Sequence, residues 1–161
     1  MPDRAIPHST IKPYLDAGPA TSARLNYPVG VALDSLNTTL YIADTSNGAI
    51  RVVNPAGVIS LVAGVTDANW CDNFGNRVTS TNARLQSVYA LVSDGAGGFA
   101  VPDYSNSIVR YYSGPDAIVT TIAGATVAGY SDGGPATGAK LFAPLRADDR
   151  WCKWILHCRE R

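Results

Sequence analysis

An all-β fold assembled from repeated four-stranded antiparallel units is predicted by three features of this 161-residue chain. They are a long internal repeat, short β-branched and aromatic segments inside each copy, and turn-forming residues between those segments. The repeat shows first at its entrances. Gly18-Pro19-Ala20-Thr21-Ser22-Ala23-Arg24-Leu25 returns as Gly134-Pro135-Ala136-Thr137-Gly138-Ala139-Lys140-Leu141, with a middle copy at Thr79-Ser80-Thr81-Asn82-Ala83-Arg84-Leu85. The closing leucines stand 60 and 56 residues apart.

Four strands follow the first entrance. They are carried by Pro28-Val29-Gly30-Val31-Ala32-Leu33-Asp34, by Leu40-Tyr41-Ile42-Ala43-Asp44, by Ala49-Ile50-Arg51-Val52-Val53 and by Val58-Ile59-Ser60-Leu61-Val62-Ala63-Gly64. The second copy keeps the order, as Val88 to Asp94, Gly98 to Asp103, Ser107 to Tyr112 and Ala117 to Gly124. Each segment is too short for a helix and is bounded by Gly, Asn, Asp, Ser or Pro. Ser46-Asn47-Gly48 and Asp94-Gly95-Ala96-Gly97-Gly98 supply residues that tolerate positive φ, as tight hairpins require. Such a unit has two apolar faces, so it makes physical sense only when neighbours cover it. Four antiparallel strands of this kind form one blade of a β-propeller.

At these residues the chain resembles the NHL repeat, with its Pro-x-Gly-Val strand, Leu-Tyr-Ile-Ala-Asp strand and Asn-x-x-Ile-Arg strand. The first copy matches through Pro28, Gly30, Val31, Leu40 to Asp44, Asn47, Ile50 and Arg51, and the second through Val101 to Asp103, Asn106, Ile108 and Arg110. Val88-Tyr89-Ala90 departs from Pro-x-Gly. The resemblance implies an incomplete NHL-type propeller over residues 16–145, with blades at about 25–64 and 85–124 and a third entrance at 132–145. Residues 1–15 read as an irregular N-terminal segment, with prolines at 2 and 7 and no continuous apolar stretch of the secretory type. Such propellers typically close with six blades, so two blades with open apolar faces are expected to self-associate or aggregate.

After Pro144 the repeat is abandoned for an irregular or short helical tail, residues 146–161, with Trp151-Cys152-Lys153-Trp154 near its start. A shift of one nucleotide converts both tryptophan codons to glycine and yields Gly-(Ala/Val)-(Asn/Ser)-Gly. That text matches Gly95-Ala96-Gly97-Gly98, and both begin 10 residues beyond their leucines. A frameshift or gene-model error is therefore one reading, and a genuine amphipathic C-terminal helix is the other. Cys152, His157 and Cys158 offer three potential zinc ligands, where structural zinc usually takes four.

Lys plus Arg and Asp plus Glu each number 13, so no net field attracts nucleic acid or an anionic membrane. The apolar runs are far below the roughly 20 residues of a membrane-spanning helix. Histidines stand only at 8 and 157, which excludes a Ser/His/Asp triad or a multi-histidine metal site in the repeated core. The assignment is accordingly no catalytic residue, no metal ligand and no cofactor. Cys71 is the sole cysteine outside the tail and indicates no redox compartment. Among carboxylates, Asp34, Asp44, Asp94 and Asp103 are conceivable calcium ligands.

The repeat-defining residues Gly30, Asp34, Asp44, Asn47, Arg51, Asp94, Asp103, Asn106 and Arg110 are assigned structural work. Each strand-ending Asp is expected to accept backbone hydrogen bonds from the following turn, and each Arg to reach across blades. Tyr104, Tyr111 and Tyr112 are candidate exposed anchors, although strand tyrosines usually pack. The functional expectation is a non-catalytic interaction or scaffold module for a protein or other ligand. The alternatives are a fragment of a propeller hydrolase or lyase with its catalytic groups elsewhere, and an RNA-binding module, which needs a basic face. The resemblance alone favours a secreted or cell-surface parent. Sequencing the transcript across the codons after Pro144 is expected to reveal the shifted frame, and clean reads in the present frame would leave the helix reading.

Overall fold

The computed structural model describes residues 17–64, 83, 85, 87–114, 118–125, 128–131 and 133–145. The N-terminal segment 1–16, the tail 146–161 and most of the middle entrance lie outside the described residues. Nine strands form two antiparallel sheets, and among the described residues the helical pieces are three-residue 3-10 turns. The first sheet contains β1 (Gly18–Pro19), β2 (Pro28–Leu33), β3 (Leu40–Asp44), β4 (Ala49–Val53) and β5 (Val58–Ala63), in the order β1-β5-β4-β3-β2. The second contains β6 (Val92–Ser93), β7 (Phe99–Asp103), β8 (Ile108–Tyr112) and β9 (Thr120–Ala123), in that order. Eight of the nine strands fall within the eight segments expected to form them. The ninth, β1, comes from the first entrance and pairs Gly18 with Ile59, covering the edge of β5. No helix among the described residues is long and apolar enough to cross a membrane.

Register makes the two sheets equivalent residue by residue. Ile42 pairs with Arg51 as Val101 pairs with Arg110, and Asp44 pairs with Ala49 as Asp103 pairs with Ile108. Even the irregularity repeats: the β4/β5 ladder shifts between Ile50 and Arg51, and the β8/β9 ladder shifts between Val109 and Arg110. The same local sequence places an extra residue in the last strand of both sheets, which bends each sheet at one point.

Turn geometry repeats as well. Positive φ recurs at matched positions: Ala17 with Gly133, Tyr27 with Ser87 and Ala143, Asn37 with Gly97, and Gly48 with Ser107. Tyr27, Ser87 and Ala143 each follow an entrance leucine by two positions, so all three entrances turn the same way. Left-handed backbone costs a residue with a Cβ roughly 1–2 kcal/mol. The first copy avoids that cost at Gly48, where φ is 59°, and the second bears it at Ser107, where φ is 55°.

The main core lies between the sheets. Strand alternation sends Tyr41, Ala43 and Ile50 of the first sheet to the face that meets Leu91, Phe99, Val101 and Tyr112 of the second. Phe99 stacks on Tyr112 with centroids 4.7 Å apart, and Tyr41 leans on Phe99 at 5.3 Å. Gly30 permits the closest approach of the two sheets, since a Cβ there would lie 2.8 Å from the Tyr89 carbonyl oxygen. A smaller cluster, Ala100 and Tyr111 with Val92 and Ile122, lies on the other face of the second sheet. Those four occupy the positions that Tyr41, Val52, Ala32 and Val62 hold in the first sheet.

Ser107→Gly is expected to raise unfolding free energy by about 0.5–1 kcal/mol, because it removes left-handed strain at a 3-10 turn. The reciprocal Gly48→Ser is expected to lose more than that, since its Cβ would stand 2.9 Å from the Leu85 carbonyl oxygen. Urea unfolding of both variants measures the pair.

Candidate functional site

Two ends of the paired sheets gather the repeat-defining side chains. At one end the buried acids close β3 and β7. Asp44, Arg51, Asp103 and Arg110 are all 0% exposed, a condition ionised groups tolerate only when paired. Arg110 Nε donates to Asp103 Oδ2 at 3.0 Å, and Asn106 Nδ2 donates to the same oxygen at 2.8 Å. In the first sheet Asn47 Nδ2 donates to Asp44 Oδ2 at 2.8 Å, and Arg51 Nη1 stands 3.6 Å from that oxygen. The Asp44 Oδ1 atom accepts the backbone N–H of Asn26, which fastens the entrance loop to the end of β3.

This arrangement adds two contacts to those expected. The acids take hold of the turns that follow them through the Asn side chains, and Asp44 also accepts a backbone N–H from the loop before β2. Each arginine closes an ion pair with the acid of its own sheet. The physical reason is register: Asp and Arg lie on the same face of adjacent strands, two residues apart along the ladder.

The opposite end is built by Asp34 and Asp94. Asp34 Oδ1 accepts the N–H of Thr38 at 2.8 Å and of Thr39 at 3.2 Å, closing the β2–β3 turn. These bonds, led by that from Thr38, hold its carboxyl down at about 2. Asp94 Oδ1 accepts the N–H groups of Ala96 and Gly98, while its Oδ2 takes the Tyr111 hydroxyl at 2.5 Å. The two turns are linked, since Ser35 Oγ donates to the Gly95 carbonyl at 2.7 Å and the Tyr41 hydroxyl reaches the Gly97 carbonyl at 3.4 Å. Burial raises the Tyr41 phenol above its ordinary range, and the charges of Asp34 and Asp94 act in the same direction.

Each of the four carboxylates is therefore committed to a separate turn or ion pair. No group of three His, Cys, Asp or Glu side chains converges on a metal position among the described residues. The segment holding Cys152, His157 and Cys158 lies outside them.

The three tyrosines divide by burial. Tyr111 and Tyr112 are 5% and 0% exposed, so they pack instead of serving as surface anchors. Burial drives the Tyr112 phenol far above its usual value. Tyr104 alone of the three reaches solvent, half-buried on the 3-10 turn after β7, with Tyr89 edge-on at 5.4 Å. Sequence inspection missed Tyr27 and Tyr89 as surface residues. The signal was available, because both adjoin an entrance loop instead of lying in a strand interior. Around them Ser105 Oγ donates to Ser87 Oγ at 3.0 Å, and exposed Ser46 donates its N–H to the Asn26 carbonyl. The end above the acid-capped turns is thus a hydroxyl and tyrosine surface on a rigid base.

No family model matches the chain, and no curated protein matches it. A solved structure described as "Putative phosphatase" from Bacteroides thetaiotaomicron is similar over 58% of this chain and 22% of its own, with 19% identity and a TM-score of 0.44. The chain thus spans under a quarter of that protein, and likeness of this degree assigns it no activity.

Asp103→Ala is expected to cost about 3–5 kcal/mol, because it strands the buried Arg110 charge. Asp103→Leu combined with Arg110→Met is expected to recover most of that loss. The terminal amino groups of Arg110 find no hydrogen-bond acceptor among the described residues, so the pair as a whole carries a large desolvation cost. Denaturant unfolding of the single and double variants reads both numbers.

Proposed function

We propose that the chain is part of an NHL-type β-propeller that serves as a non-catalytic interaction module, with its ligand surface over the acid-capped turns. The single observation that carries this reading is the double occurrence of the buried Asp–Asn–Arg group. It uses the recurring Asp44/Asp103 and Arg51/Arg110 charges to hold loops in place and leaves tyrosine rings and hydroxyls on the surface those loops create. Rigid loops lose little entropy on binding, and tyrosine supplies a large amphipathic contact with few rotatable bonds.

The blade interpretation draws support from a comparison of equivalent positions. Leu91, packed against the first sheet, is 5% exposed, whereas Val31 at the matching place in the first sheet is 67% exposed. Leu85 and Leu25 differ likewise, at 3% and 37%. A stacked array accounts for both differences, since a residue directed at the preceding unit is buried only where that unit stands. The same reading expects the exposed row of Val29, Val31 and Leu33 to draw copies together in solution.

A photoreactive phenylalanine analogue at position 104 is expected to crosslink one discrete partner in extracts of the native source, and Tyr89→Ala is expected to reduce the yield severalfold. The analogue at exposed position 113 is the control and should give no such product. Stoichiometric bound metal, together with turnover of phosphate-ester or lactone model substrates by the purified parent protein, would instead establish the hydrolase reading.

A further inference from the structure

The β2–β3 turn carries a feature that neither the repeat nor the core uses. Asn37-Thr38-Thr39 is the chain's sole Asn-x-Ser/Thr triplet with a residue other than proline in the middle. The equivalent turn of the second sheet has Ala96-Gly97-Gly98 at the positions of Leu36, Asn37 and Thr38, so the triplet is not a by-product of the repeat. Asn37 is exposed, has φ of 56°, and stands at the tip of the turn closed by Asp34. Its backbone N–H donates to the Asp34 carbonyl at 3.1 Å, and its side-chain amide has no hydrogen-bond partner among the described residues. Leu36 beside it is 76% exposed.

We propose that Asn37 is an N-glycosylation site, modified when the chain passes through a compartment that holds a lipid-linked oligosaccharide donor. The triplet is the acceptor signature read by oligosaccharide transfer, and a surface turn is where the modified Asn must end up. In the transfer, the Asn37 Nδ2 atom forms a bond to the anomeric carbon of the donor sugar. The bond from that carbon to the donor's phosphate oxygen breaks, a polyprenyl diphosphate leaves, and the amide proton is released to the transferase. No oxidant or reductant is needed.

The position suits a bulky polar group. Asn37 is exposed, and a glycan there shields Leu36 and the linked Ser35–Gly95 turns. It lies at the end opposite Tyr27, Tyr89 and Tyr104, so it leaves that surface open. The inference does not depend on the ligand-binding reading, because it stands on the triplet and its exposure alone.

The test is secretion of the full chain from an insect-cell host behind an added leader, followed by peptide mass analysis before and after amide-cleaving endoglycosidase. The expected result is a glycosylated peptide containing Asn37 that the enzyme converts to Asp. Asn37→Gln and Thr39→Val should each abolish the glycan, while Thr38→Ala should keep it, although Thr38 and Thr39 both donate to Asp34. Loss of the glycan in Thr38→Ala as well would show that turn structure, not the acceptor triplet, governs the signal, and would overturn the proposal. So would an unmodified Asn37 in the secreted wild-type chain.

Discussion

A sheet with apolar side chains on both faces cannot stand alone in water, and that constraint organises everything else in this molecule. The first sheet presents Tyr41, Ala43 and Ile50 on one face, and the second sheet covers them with Leu91, Phe99 and Tyr112. Close approach requires Gly30, where one sheet's backbone comes up against the carbonyl of Tyr89 in the other. Hydrogen bonds then pin the seam at both ends, through Thr45 Oγ1 to the Val88 carbonyl at 2.6 Å and through Ser35 to Gly95. On the opposite face of the first sheet, the Val31 row is exposed while Asp44 and Arg51 are buried.

Buried ionic groups are costly and weak as stabilisers, so their recurrence calls for another explanation. Here the geometry supplies one. Each Asp holds the Asn of the following turn as well as the Arg of the next strand, so strand end, turn and return strand are fixed by one carboxylate. The 3-10 turns then project their side chains from strand ends tied by these bonds. Asp44, Arg51, Asp103 and Arg110 are all engaged in these buried pairs.

The acceptor triplet at Asn37 and the tyrosine surface sit at opposite ends of the paired sheets. This polarity is a property of the unit rather than of any one loop. Antiparallel strands deliver β2–β3 and β6–β7 turns to one end and the acid-capped turns to the other. One end is open to modification without disturbing contacts at the other.

Local chemistry by itself determined the strands, their order and the turns that join them. Val, Ile and Tyr segments bounded by Gly, Asn and Asp leave the backbone few alternatives, and eight of the strands lie where those segments do. The repeat also made Asp44, Asn47 and Arg51 recognisable as counterparts of Asp103, Asn106 and Arg110. Only the tertiary structure decided how these groups pair, because ladder register, not sequence spacing, sets Asp44 opposite Ala49 and brings Arg51 to the same face. It also decided which tyrosines are visible. Tyr104 and Tyr112 are both β-compatible aromatics near Arg110, yet one lies on a turn and the other under the first sheet, and burial depends on a neighbour contributed from some 60 residues away. The added strand β1 was hidden for the same reason: Gly18-Pro19 leads into a 3-10 turn like that after Gly134-Pro135, and its pairing with the edge of β5 spans some 40 residues of chain.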